Sequence, residues 1–288
     1  MKTNTIIVTA RELRDIEGNP EKALKELLRY KADDFKEYGN QIEFLILKAV
    51  LYRDTGDLDS SVKTYMEALS LIKNGDYLHK ADILRSLAFV SIYTDGLDKA
   101  YEYAMEALDT LEGKKGKKYY RVRANIYAVL GNILYGNKRY DDALMNYRKG
   151  LYWAGKDNFH EREITLNGDI ANVYIAQRRY SKAVNVISKN LKLAEKSYRI
   201  SVPQLYLRRA KVNLYSKEFE KAVKDVQKAV DISEKEGWFR DLGEAYEAMG
   251  DILKEKGDSG CKGYYEKAEK IYRDGGYSNL LNRIKERK

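Results

Sequence analysis

The sequence predicts an all-α chain, a right-handed solenoid of about seven helical hairpins closed by a short C-terminal helix. Three observations carry that expectation. First, Tyr127 to Leu151 reads as two amphipathic helices around a tight turn. One apolar stripe runs through Tyr127, Leu130, Gly131 and Leu134, and a second through Tyr140, Ala143, Tyr147 and Leu151, with the polar break Gly136-Asn137-Lys138-Arg139 between them. Second, the turn into the second helix recurs. Pro20, Leu58, Leu97, Tyr140, Tyr180 and Phe219 each stand three residues ahead of a small residue, and those small residues are 38, 39, 43, 40 and 39 positions apart. Third, 288 residues hold 2 Pro and no alternating β-branched run long enough for a sheet.

Taken in order, hairpins are expected to begin near residues 4, 42, 81, 124, 164, 203 and 243, in one continuous domain over 1–288. The first turns at Gly18-Asn19-Pro20, with Pro opening its second helix. The second turns at Thr55-Gly56-Asp57 and the third at Thr94-Asp95-Gly96. Gly113-Lys114-Lys115-Gly116-Lys117-Lys118 is the irregular link that lengthens one spacing to 43. Ser201 and Gln204 have the spacing of a capping box, with Pro203 in the first turn. The seventh hairpin is degenerate, with Gly250 on its first helix and Cys261, Tyr265 and Ala268 on its second. Cys261 takes the small-residue place, so a buried thiol is expected there. After Gly275-Gly276, residues 277–288 put Leu280, Leu281 and Ile284 on one side and charge on the other, as a terminal cap should.

Gly131 and Ala143 belong where two helices cross closely, since only a hydrogen or a methyl fits there. With Leu130 and Tyr147, and Tyr127 in place of the usual Trp, they resemble the signature of the tetratricopeptide repeat. The period of roughly 40 exceeds the common 34, so longer helices or links are expected. The resemblance implies a protein-interaction scaffold with no catalytic role and no cofactor. It also implies a concave groove lined by the second, fifth, ninth and twelfth residues of each repeat. The ninth position reads Glu12, Val50, Phe89, Asn132, Asn172, Lys211 and Asp251.

Asn132 and Asn172, with Asn125 beside them, could bond both polar groups of an extended peptide backbone. Tyr135, Ile175 and Tyr215 add apolar surface, while Arg85 and Lys211 add positive charge, so a protein or peptide partner with acidic or carboxylate character is expected. The carboxylate clamp of chaperone-binding relatives needs a cation at the fifth position. Ala128 and Gly168 stand there instead. The long period also resembles peptide-sensing bacterial regulators of the Rap type, which carry an added N-terminal helical domain.

Net charge is +9, and Lys114, Lys115, Lys117, Lys118, Arg121 and Arg123 cluster with Tyr119 and Tyr120. Basic charge with aromatics suits a single nucleic-acid strand, the less favoured reading, because charge alone speaks to non-specific attraction. No catalytic constellation stands out. His79 and His160 lie in different hairpins, and the Gly113–Lys118 link lacks the earlier glycine of a phosphate loop. One cysteine, no signal peptide and no long apolar segment predict a cytoplasmic protein away from membranes.

Overall fold

The computed structural model describes residues 2–15 and 19–287, except the side chains of 2–4, 278 and 279. Gly18 of the first turn and Lys288 at the end of the expected cap lie outside them. The described residues are helical, with no strand. By compactness the chain divides into two units, Met1–Asp157 and Asn158–Lys288.

The first unit contains four hairpins: α1 (Lys2–Asp15) with α2 (Pro20–Leu27), α3 (Tyr38–Asp54) with α4 (Leu58–Ser70), α5 (Tyr77–Thr94) with α6 (Leu97–Thr110), and α7 (Lys117–Gly136) with α8 (Tyr140–Lys156). The second contains α9 (His160–Ala176) with α10 (Tyr180–Ser197), α11 (Val202–Tyr215) with α12 (Phe219–Glu236), and α13 (Phe239–Glu255) with α14 (Cys261–Asp274), followed by α15 (Ser278–Lys285). Each second helix through α12 begins on the turn residue expected for it. First helices begin earlier than the signature does, α7 at Lys117 and α9 at His160, so the long period is extra helix at their N-terminal ends. The basic run is correspondingly not all link, since Lys117 and Lys118 already belong to α7.

The small residues sit where the helices touch. Ala23, Ser61, Ala100, Ala143, Ala183 and Ala222 are completely buried. A Cβ at Gly131 would stand 2.3 Å from the Tyr147 ring, and one at Gly250 would stand 2.5 Å from Tyr265, so each glycine makes room for an aromatic ring from the partner helix. In the first unit the core runs from Ile7 through Leu27, Phe35, Phe44 and Tyr65 to Val90, and a neighbouring cluster continues through Ala104, Ile126 and Ile133. In the second, Tyr265, Ala268, Tyr272 and Ile284 bury the end of the last hairpin under α15. The cap expectation thus has a physical basis, because Ile284 is fully covered while Arg283 and Arg287 reach around it.

Among the described residues, six hairpin turns each contain a residue of left-handed backbone. Gly56, Gly96 and Gly257 supply it in three turns, and Lys138, Arg178 and Lys217 adopt it in three others.

Two local expectations fail. Ser201 caps nothing with its side chain. Its hydroxyl donates to the Tyr198 carbonyl at 2.9 Å, and Gln204 reaches instead to Asp241 and Glu244, at 2.5 and 2.7 Å. Cys261 is partly exposed, because α14 starts at this small-residue place rather than three residues ahead of it, which leaves Cys261 on the helix end.

Candidate functional site

The ninth and twelfth positions of the first helices reach the surface at least in part in all seven hairpins, from Glu12 and Asp15 to Asp251 and Lys254. The fifth position sinks into the packing at Ala128, Gly168, Leu207 and Glu247. These positions are therefore not equivalent as ligand contacts.

In the first unit, Asn132 is committed to its own hairpin. The Tyr147 hydroxyl donates to its side-chain oxygen at 2.8 Å. The same bond recurs in the second unit, where Tyr265 donates to Asp251 at 2.9 Å. In the second hairpin Tyr65 occupies the tyrosine place but the ninth position is Val50, which cannot accept, and the buried hydroxyl makes no hydrogen bond among the described residues. A ninth-position acceptor therefore satisfies the buried tyrosine in the fourth and seventh hairpins, and the second hairpin lacks one. Asn125 is half-buried, with its side-chain oxygen enclosed and without a hydrogen-bond partner. Tyr135 is exposed and lies 5.7 Å from the Tyr140 ring. Arg85 is held locally, donating to Asp82 at 2.8 Å and to the Ser86 hydroxyl at 2.9 Å.

The basic cluster is divided by its contacts. Lys114 sits 3.6 Å over the Tyr77 ring and Lys118 lies 5.1 Å from Tyr119, while Lys115 and Lys117 are exposed. Arg121 pairs with the buried Asp157. Arg123 is not on the surface, contrary to its expected place in a nucleic-acid footprint. It is 8% exposed, donates to the Leu111 carbonyl at the end of α6 and lies 4.9 Å from the Trp153 ring. Burial lowers its pKa from the ordinary arginine value. The C-terminal end of α6, with its partial negative charge, is the feature that holds this cation.

In the second unit the groups are freer. Asn172 is half-buried on α9 and has no hydrogen bond among the described residues, because its hairpin has Ile187 where Tyr147 and Tyr265 stand in theirs. Ile175 lies one turn further along α9. On α11, Lys211 is exposed with its ammonium 5.9 Å from the Tyr215 ring, and Tyr215 is 6.3 Å from Tyr180.

Sequence reasoning missed two residues beside Asn172. Arg208 of α11 lies against the backbone of α9 at Gly168, and Asp169 follows that glycine. Burial pushes the Asp169 carboxyl up to about 6, and the nearby Arg208 and Arg162 only partly oppose the rise. The available signal was glycine at a helical position that normally carries a side chain.

The end of this unit is closed. Glu247 is buried and accepts from Tyr272 at 2.8 Å and Arg283 at 2.6 Å, while Arg287 reaches both Glu247 and Asp251. Burial and the Glu247 charge raise the Tyr272 hydroxyl pKa. Among the described residues no three His, Cys, Asp or Glu side chains converge as a metal site, and no helix is long and apolar enough to cross a membrane.

Known structures share the fold. The apo form of RapI aligns over 85% of this chain and 94% of its own, with a TM-score of 0.61 and 16% identity. A signal-transduction ATPase from Pyrococcus horikoshii with a tetratricopeptide-repeat sensor aligns over 93% of this chain, with a TM-score of 0.66 and 19% identity. This chain spans 38% of that one. A Rap protein complexed with competence and sporulation factor aligns over 98% of this chain and 84% of its own, with a TM-score of 0.65 and 13% identity. No curated protein matches in sequence. The tetratricopeptide-repeat family profile matches residues 42–74, 124–157 and 203–236, which are the second, fourth and sixth hairpins. The hairpins between them repeat the same small-residue crossings, and the chain is a tetratricopeptide-repeat protein.

Proposed function

We propose that the protein is a cytoplasmic, non-catalytic scaffold that binds a peptide segment of a protein partner on the exposed side of α9 and α11. The observation that carries this reading is the Asn172 side chain. It is half-buried with both donors and its acceptor unused, at a position facing the surface. An amide in that state supplies the two bonds that an extended peptide backbone requires. Tyr180 and Tyr215 offer adjoining aromatic surface, and Lys211 favours an acidic or carboxylate-bearing segment. That a protein of the same fold is seen complexed with a competence and sporulation factor supports a ligand-holding role for such an array.

The test is capture from native lysate by the wild type and by Asn172→Ala, followed by calorimetry with the captured partner's segment. Losing the amide's bonds should weaken binding by about 2- to 10-fold, corresponding to roughly 0.5–1.5 kcal/mol. Equal affinity at matched stability would place the partner elsewhere. The divided basic cluster gives the nucleic-acid reading little support, with Arg123 enclosed and Arg121 paired.

A further inference from the structure

One tetrapeptide occurs twice, on the second helices of neighbouring hairpins. Met66-Glu67-Ala68-Leu69 on α4 and Met105-Glu106-Ala107-Leu108 on α6 stand in the same register, each methionine five residues past the small crossing residue, Ser61 or Ala100. In both runs the alanine is completely buried and the leucine half-buried, while the methionine and glutamate face outward. Leu69 and Tyr103 pack against the same two core clusters, which sets α4 and α6 side by side. Tyr101 lies one turn before Met105 on the same face and is 42% exposed, against 45% and 36% for Met66 and Met105. The two helices thus leave an apolar surface uncovered. The equivalent place holds Arg148 on α8, Ser188 on α10 and Gln227 on α12, as a helix face in water should.

The charge around this surface is opposite to that of the chain. Net charge is +9 overall, yet the exposed charges of α6 are Asp98, Glu102, Glu106 and Asp109 against Lys99. Glu102 is paired with Lys99 at 2.7 Å and Glu106 with Lys80 at 3.3 Å. Glu67, Asp98 and Asp109 make no side-chain hydrogen bond or ion pair among the described residues. We propose that the outer face of α4 and α6 docks a basic amphipathic helix of a partner protein. The apolar stripe of that helix covers Met66, Tyr101 and Met105, and its lysines or arginines meet Glu67, Asp98 and Asp109. Methionine is flexible and polarisable, so it moulds to a helix without demanding one sequence. The unpaired carboxylates select a positively charged helix and repel an acidic one. The surface consists of second helices in the first unit, so it shares no residue with the peptide site on α9 and α11.

The probes are three fluorescein-labelled peptides of about 18 residues, or roughly five helical turns. The first places leucines along one helical face and lysines elsewhere. The second scrambles the same residues so that no apolar face forms, and the third has glutamate in place of lysine. Anisotropy titrations use the full chain at about 0.15 M salt, where long-range attraction is screened. The net charge of +9 repels a basic peptide in general, so binding of the first peptide reports the local surface. It should bind roughly 10-fold or more tightly than either of the others. Met66→Ser and Met105→Ser together should weaken it by roughly 10-fold, through lost apolar burial. Both side chains are exposed in the free protein, so the melting curve should stay the same. Glu67→Lys with Asp109→Lys should weaken the basic peptide and strengthen the acidic one, a reversal that loss of structure cannot produce. Met145→Ser, at an exposed methionine of α8 outside the shared register, should change nothing. Equal affinities of the first two peptides for the wild type, including no binding of either, overturn the docking face. Undiminished binding by the folded methionine variant does the same. A dimer in sedimentation velocity that the methionine variant abolishes, with no preference among the peptides, assigns the face to a second copy of the chain and overturns the basic helix.

Discussion

Gly131→Ala adds one methyl group, and the structure indicates what it meets. The new Cβ would lie 2.3 Å from Cε1 and 2.4 Å from Cδ1 of Tyr147. Tyr147 is 2% exposed and tied by its hydroxyl to Asn132, so the ring has no free direction to move. Overpacking of this kind costs about 1–3 kcal/mol. Displacing the ring also weakens the Asn132 bond, worth roughly 0.5–1.5 kcal/mol. Against this, alanine is the better helix former by about 1 kcal/mol. The expected net loss is about 1–3 kcal/mol.

Repeat arrays unfold in parts, so the measurement is hydrogen exchange of α7 and α8 amides, with urea melting as a second readout. The informative partner is Tyr147→Leu. With the ring gone, Gly131→Ala should change sign and stabilise by about 0.5–1 kcal/mol, leaving only the propensity term. A neutral or stabilising Gly131→Ala in the wild-type background would refute the crossing geometry, and so would the absence of a sign change.

Three further outcomes are expected. Asp169→Asn should stabilise the fold near neutral pH. Its folded pKa of about 6 lies above the ordinary carboxyl value, so the folded chain holds the proton more tightly and ionisation costs stability. The cost is complete above about pH 6 and absent below about pH 4, and amounts to roughly 1–3 kcal/mol once partial solvent screening is allowed for. Melting curves of the two proteins should therefore converge in acid, and a constant gap would contradict the assignment. Arg287→Ala should cost about 1–3 kcal/mol and raise exchange across α15, because Glu247 and Asp251 lose a charged donor. Unchanged α15 protection would show that the arginine is ornamental to the cap. Asn190→Ala should cost about 1–3 kcal/mol in the α9–α10 hairpin, since its amide donates to the Ile164 carbonyl at 2.8 Å inside the packing; wild-type exchange rates there would exclude that role.

Much of the fold could be read from periodicity because close helix crossings demand small residues at fixed intervals. Ala143 and Gly131 announce where two backbones meet, and Leu58 or Phe219 announce where a second helix begins. The candidate site was harder to read, since it depends on which polar groups are already taken. Asn132 and Asn172 occupy the same place in their hairpins, yet only Asn132 meets a tyrosine hydroxyl. That difference was present in the sequence, in Tyr147 against Ile187, but it acquires meaning only once the helices face each other. Arg123 looked like one cation among six, and its enclosure depends on Trp153 and the end of α6, thirty and twelve residues away. Arg208 drew no notice because its significance lies in a glycine of the preceding hairpin.

The six left-handed turn residues bear on how the array yields to a protease. Gly56, Gly96 and Gly257 hold that backbone at no steric penalty, whereas Lys138, Arg178 and Lys217 each carry roughly 1–2 kcal/mol for doing so. Those three are also trypsin's residues, exposed and about one repeat apart. When a hairpin loosens, the turn holding stored strain is the one that presents a cleavable bond. Brief digestion should thus release fragments stepped by about 40 residues from the middle of the chain, while the turns at Gly56 and Gly96, which hold neither strain to relieve nor a lysine or arginine between their helices, stay whole.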